Sequence, residues 1–252
     1  MAKHLIMAIT FAALCFSSRL QGAEQAQTAI TTQKIIGTAL YKENLFFYTE
    51  EDTFSIKENH ILKIDSLYKD KDSKLIVEMH SDFSKKPYFP EISFEDHRKK
   101  TQFKIILTDD QKFVSVSQNF ADPKIMKTKK LDYLNNMTNS MGLINYIREN
   151  FQKAKTESKS FRYVIPALMD DYGMILEYRP NKESTDLTVR FAFKIQSFFI
   201  RNLSGIREAV LSFDSSGRFI KAFSGASNIL DESNHAVDVQ IVFTEPVLVK
   251  TK

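Results

Sequence analysis

The longest two-residue alternation of apolar and polar positions runs over Leu187–Phe199. Leu187, Val189, Phe191, Phe193, Ile195 and Phe199 fall on one side, and Thr188, Arg190, Lys194 and Gln196 on the other. Successive side chains of a strand point to opposite faces of a sheet, so this pattern predicts a long strand with one wet face. Arg207–Phe213, Arg218–Phe223 and Val237–Phe243 repeat it in shorter form. Between the first two of these, Asp214-Ser215-Ser216-Gly217 has the residues of a tight turn, which predicts a hairpin.

The first half carries the same pattern in Lys34–Tyr41, Leu45–Lys57, Ile61–Tyr68, Lys74–Phe83, Phe103–Leu107 and Phe113–Ser117. Short polar turns separate several of them, at Lys42-Glu43-Asn44, Lys69-Asp70-Lys71-Asp72 and Thr108-Asp109-Asp110-Gln111. Such short links join antiparallel neighbours, because a parallel crossover needs a dozen residues or more. The period changes over 139–153, where Met141, Leu143, Ile144, Ile147 and Phe151 form a stripe at helical spacing, with Asn139 or Ser140 as the cap. Phe161–Ile165 and Met174–Tyr178 return to strand, joined through Pro166–Gly173, with Asp170 and Asp171 read as turn formers. The expected fold is mainly β: a large curved antiparallel sheet or open half-barrel packed on one helix. Residues 24–33 read as a loose lead-in and 34–252 as a single domain.

The first 23 residues stand apart. Lys3 and His4 precede an uncharged run, Leu5–Phe16, and a more polar end with small residues reaches Ala23. The run has the length of a signal-peptide core and is too short to span a bilayer as a helix, so residues 1–23 read as a secretory signal peptide. The expected location is the periplasm or outer envelope.

Composition narrows the chemistry. The chain has 252 residues, one Cys, no Trp and 21 Phe. A single Cys excludes a disulfide framework and Cys-based zinc or iron–sulfur sites. Removing Lys3 and Arg19 with the leader takes the 35 Lys and Arg to 33, against 31 Asp and Glu. That balance is no footprint for nucleic acid. No nucleophile elbow, His-Glu-x-x-His, Walker loop or dinucleotide glycine pattern is present, and no cofactor is expected.

Several groups of residues carry candidate chemistry. Glu78, His80 and Asp82 share one face of their strand and have the donor types of a divalent metal site. Their spacing of ~7 Å requires further ligands from a neighbouring strand. Against that stands a solvated face with cross-strand ion pairs. His97, Arg98, Lys99 and Lys100 offer positive charge to an anionic group such as a lipid headgroup, or form a charged turn. Glu50-Glu51-Asp52 lies on a strand whose alternation keeps the three from converging. Ser224-Gly225-Ala226-Ser227-Asn228 is small and polar, suited to close backbone approach by a ligand, or to a loop; Ser227 and Asn228 are its candidate contacts. Phe191, Phe193 and Phe199 either fill a core or line a cavity for a lipid-like ligand.

Three stretches carry a resemblance. Gly37-Thr38-Ala39-Leu40-Tyr41 with Tyr48-Thr49-Glu50-Glu51, Ser81-Asp82-Phe83 with Pro90-Glu91, and Leu211-Ser212-Phe213-Asp214 leading to Phe223–Ile229 are similar to an uncharacterised family of small exported bacterial proteins. More distantly, the strand-rich layout resembles periplasmic half-barrels that carry lipids or lipoproteins, in which helices plug an apolar cavity. That resemblance implies an apolar or lipid-like ligand. The leading expectation is an exported, non-enzymatic envelope protein that binds such a ligand or an envelope partner. The alternatives are a metal-dependent or other hydrolase using the Glu78, His80 and Asp82 face, and an outer-membrane β-barrel.

Overall fold

A computed structural model describes residues 29–42, 44–180, 188–197, 208–231 and 236–249. Eight strands come first: β1 (Thr31–Tyr41), β2 (Leu45–Lys57), β3 (His60–Lys69), β4 (Leu75–Asp82), β5 (Glu91–Asp96), β6 (Thr101–Leu107), β7 (Phe113–Gln118) and β8 (Lys127–Asp132). They form an antiparallel meander in chain order. A two-residue strand, β9 (Met137–Thr138), leads into helices α1 (Ser140–Glu149) and α2 (Phe151–Ala154). The chain then lays down β10 (Lys159–Ile165), β11 (Asp170–Arg179), β12 (Val189–Ile195), β13 (Ala209–Phe213), β14 (Ile220–Leu230), β15 (Ala236–Phe243) and β16 (Val247–Val249).

Both runs belong to one sheet. β1 pairs with β2 on one side and with β15 and β16 on the other, so the first strand is the seam. Gly37 sits opposite Phe243 in that seam, and a β-carbon on Gly37 would come within 2.7 Å of the Phe243 ring. The ring lies where the missing side chain would be, which makes glycine a packing requirement here.

The order of strands forces curvature. The sheet runs from β8 through β1 and β15 to β9, fifteen strands side by side. Laid flat at ~4.8 Å per gap, its edges would stand ~67 Å apart. Yet β8 and β9 are consecutive in the chain, joined by residues 133–136, a link that reaches about 18 Å at most. The sheet therefore curls until its edges approach. β8 and β9 do not hydrogen-bond to each other, so the barrel stays unclosed.

The helices fill the curve. Asn139 caps α1 by accepting from the Gly142 N–H (3.1 Å), and its amide donates to the Pro90 carbonyl (2.8 Å). Asn145 donates to the Pro87 carbonyl (2.8 Å), and Asn150 to the Tyr88 hydroxyl (3.1 Å). Gly142 lets the helix touch this loop directly, since a β-carbon there would stand 2.1 Å from the Tyr88 carbonyl oxygen. The Tyr146 and Phe161 rings are 4.9 Å apart, and Phe151 packs 5.9 Å from Phe191. One apolar cluster runs from Ile35 to Phe243.

The observed architecture is the expected curved antiparallel sheet packed on a helical segment, with local differences. The segment 139–153 is two helices, because Asn150 leaves helical geometry between them. β1 begins at Thr31, within the expected lead-in, because β2 and β16 supply hydrogen-bonding partners there. Asp170 and Asp171 belong to β11; the turn is made by Pro166–Leu168 and by Met169, which takes left-handed geometry. Ser224–Asn228 is the interior of β14 and no loop. β12 is described over Val189–Ile195; Leu187 and Phe199 lie outside the described residues.

Candidate functional site

The inward faces of the strands are largely apolar, and an acidic pair stands out among their buried polar residues. Phe191 and Phe193 point inward and are buried. Phe191 lies against Phe151 and Phe213 (6.1 Å from the latter), and Phe193 against Tyr163 (5.1 Å) and Phe161 (6.4 Å). Around these two side chains the interior is filled by rings from the helices and neighbouring strands. Phe199 is outside the described residues. Ser227 and Asn228 separate by alternation: Ser227 is buried, 3.3 Å from the Tyr48 hydroxyl, while Asn228 is exposed on the outer face. Ser224 and Gly225 of the same strand border an open depression of about 340 Å³ with Tyr41 and Asp238.

The acidic pair is Glu50 and Asp52, two residues apart on β2; both face inward and are buried, whereas Glu51 faces out between Lys34 (2.6 Å) and Lys69 (3.2 Å). The alternation that keeps the three apart thus brings two of them together. Tyr68 donates to Glu50 (3.0 Å), and Asp52 lies opposite Ser66 of β3. No cation pairs with either inward acid among the described residues. Burial pushes Glu50 well above the ordinary carboxylate range, and the charge of Asp52 adds to that rise. Burial raises Asp52 to about 6. Tyr48 and Tyr68 are raised as well, first by burial and then by the charge of Glu50. Both inward acids thus hold a proton more tightly than an exposed carboxylate does.

The basic run forms the β5–β6 turn. Arg98 grips the buried Asp96 through two nitrogens (2.6 and 3.1 Å) and reaches the Leu230 carbonyl (3.3 Å). The Lys99 ammonium donates to the Asp231 carbonyl. His97 stands between Glu78 (3.8 Å) and Glu95 (3.6 Å), and Lys100 takes the left-handed position of the turn. These donors tie the turn to the end of β14 and do not converge on a common point.

The Glu78, His80 and Asp82 face is on the outside of the barrel. Glu78 is beside His97, His80 bonds Asp65 (2.6 Å), and Asp82 accepts from the Ser84 N–H (2.8 Å). Each of the three thus has a different partner. Among the described residues no three His, Cys, Asp or Glu side chains gather as a metal-holding group. The register does create another row, Asp65–His80–Ser93–Lys104, across β3 to β6. Asp65 and His80 are about half exposed, and their charges are screened accordingly.

A different site lies at the end of the barrel beside α1. The partly exposed Phe54, Ile144 and Phe219 rim a shallow apolar cleft whose floor is the buried Ile35, Ile61, Phe213 and Ile220. Ile144 and Arg148 share one stripe of α1 at i and i+4, so the same helix face supplies an apolar wall and a cationic rim. Arg148 donates to the Asn59 carbonyl (2.7 Å), fixing it to the β2–β3 turn. Burial, with the nearby charge of Arg218, pulls the Arg148 guanidinium below its ordinary value. Arg218 is held on the β13–β14 turn. There Asp214 accepts from the Phe219 N–H (3.1 Å) and the Ser216 hydroxyl (2.5 Å), and Gly217 supplies the positive φ of 74°. Gln33 completes the cleft with a side-chain oxygen that is buried and has no hydrogen-bond partner.

No family model and no curated protein matches the chain. Among solved structures, it is similar to a beta-barrel-like protein of a domain of unknown function, DUF1849, from Brucella abortus. That similarity has a TM-score of 0.45 and 7% identity, over 88% of this chain and 100% of that one.

The cleft was not visible in the sequence. Its residues come from five separate stretches of chain, and each is an ordinary core or turn residue where it stands. The one available signal was Arg148, a charge on the stripe side of an otherwise apolar helix run.

Proposed function

We propose that the protein is an exported, non-enzymatic component of the cell envelope that binds an apolar, lipid-like ligand at the open end of its barrel. The observation that carries this reading is the cleft beside α1: apolar walls, an open mouth and a cationic rim. Small-molecule sites commonly combine an apolar lining with a few placed polar groups. The void itself is small, about 20 Å³. A bound chain therefore lies along the cleft and not within a deep cavity. The leader-like residues 1–23 support export.

The faces argue against the membrane-barrel alternative. Transmembrane barrels turn an apolar band outward. Here Lys34, Glu51, His80 and Lys104 face out among scattered exposed apolar residues such as Ile36, Ile106 and Val242, while most large apolar side chains face in.

Native mass spectrometry with lipid extraction, on protein purified from the envelope of its own host, tests the reading. A co-purifying acyl-chain molecule is the expected result. An empty protein that also fails to take up a supplied fatty acid or monoglyceride overturns it.

A further inference from the structure

The cleft has a polarity that specifies its ligand further. Arg148 and Arg218 are like charges lining one apolar cleft. Arg148 is occupied by the Asn59 carbonyl and by Asn145 (3.4 Å). No carboxylate pairs with either guanidinium among the described residues, in a protein where Arg98, Arg162 and Arg179 each have one. The nearby Glu149 offsets part of the charge of Arg148, which leaves the exposed Arg218 as the cation available to an anion. The same cleft presents the unpartnered oxygen of Gln33. On its outer side, Leu248 of β16 lies directly opposite Gln33 and is 68% exposed. Paired residues of neighbouring strands share a face, so Leu248 extends the apolar wall past the rim.

We infer that the ligand is a single-chain amphiphile with a carboxylate head, its chain along the partly exposed Phe54 and Ile144 toward Leu248 and its head on Arg218. This rests on the reading of the cleft as a ligand site. A carboxylate is favoured because, among the described residues, the Arg218 guanidinium has no ion-pair partner: its planar fork matches one carboxylate through two parallel hydrogen bonds. A phosphate head, with more charge and more acceptor oxygens, calls for more donors than Arg218 and the largely occupied Arg148 supply.

The test compares ligands that share one chain. Oleate, 1-monoolein and oleoyl lysophosphatidate are titrated below their aggregation thresholds into the full chain and into Arg218→Gln. Because the protein has no Trp, Phe219→Trp at the cleft gives a single indole signal for the titrations. The Arg218→Gln variant changes an exposed side chain, and an unchanged melting temperature confirms its fold. The expected result is oleate binding about tenfold tighter than monoolein, with that preference lost in Arg218→Gln, the size of effect a charge-assisted pair supplies. Equal binding of oleate and monoolein overturns the carboxylate assignment and leaves the lipid-binding reading in place. Tighter binding of lysophosphatidate than of oleate replaces carboxylate by phosphate. Oleate binding that is unaffected by Arg218→Gln removes the head from this cleft. Failure of all three ligands to bind overturns both this inference and the function proposed above.

Discussion

The Lys129 ammonium stands 3.1 Å from the Asp170 carboxylate, and this pair joins β8, one edge of the sheet, to β11 near the other edge. It marks where the barrel comes together without hydrogen-bonded closure. Both side chains are nearly half exposed, and such pairs contribute about 0–1 kcal/mol. Lys129→Ala should therefore shift the urea midpoint little, by less than about 1 kcal/mol. A larger loss would mean that the edges are held by charge and not by the helices packed between them.

The buried acids give the protein a pH-dependent stability. Both Glu50 and Asp52 hold protons more tightly folded than unfolded. The unfolded chain releases those protons near pH 4, so stability falls as pH rises from there, through about 6 for Asp52, with Glu50 acting in the same direction. The shift at Asp52 alone corresponds to on the order of 3 kcal/mol. Asp52→Asn should flatten the dependence between pH 4 and 6, and Glu50→Gln should remove the further fall that Glu50 adds in the same direction. Melting curves across pH 4–9 check this. A wild-type stability that rises over that range would contradict it, provided that the variants rise less.

Phe191 and Phe193 are enclosed by rings of α2, β10 and β13. Phe193→Ala should cost about 3–5 kcal/mol, the range for a buried Phe truncated in a packed core. Denaturant unfolding measures it. A loss well under 1 kcal/mol accompanied by weaker lipid binding would place the ring at a ligand surface instead.

Asp96 is buried and accepts from the Arg98 side chain and from the Arg98 backbone N–H (3.0 Å). Asp96→Ala should cost about 2–3 kcal/mol, since charged hydrogen bonds to a buried acceptor are among the stronger ones. Arg98 and Lys99 would then lose their register on Leu230 and Asp231. Amide exchange in β14 is the readout. Unaltered protection there would show that the turn does not hold that strand.

Gly217 combines a φ of 74° with a position where a β-carbon would stand 2.2 Å from the Phe151 ring. Gly217→Ala should destabilise by more than about 1 kcal/mol, since both backbone and packing resist it. It should also weaken oleate binding, because the turn carries Arg218. Unchanged stability would require the turn to move away from α2, which a crystal structure of the variant would reveal.

Strands with long alternation were legible from the chain alone: β2 spans the expected Leu45–Lys57. β8 was not, because it reads Lys-Thr-Lys-Lys-Leu-Asp and turns only Leu131 inward as an apolar residue. An edge strand exposed on most of its length has little apolar pattern to show. β5 is six residues long, too short for its Ile92 and Phe94 to stand out between Pro90 and the charged turn. The small residues of β14 looked like a loop because neighbouring strands leave no room for larger ones; a β-carbon on Gly225 would stand 3.0 Å from that of Ala209. Of the candidate sites, alternation correctly set Glu78, His80 and Asp82 on one face. It could not reveal which strand would come alongside, and so neither the Asp65 partner nor the cleft at the barrel end was foreseeable.

The seam at β1 has a consequence for biogenesis. Gly37 waits for Phe243, which leaves the ribosome more than two hundred residues later. Until then, one whole edge of the first strand has unpaired amides and carbonyls, a template for pairing with any passing extended chain. Contacts this distant in sequence also form slowly. A chain threaded across a membrane N-terminus first cannot complete its sheet during passage. On the export proposed above, the sheet finishes on the far side, and the interval just after release is when the chain is most exposed to aggregation and most in need of a chaperone.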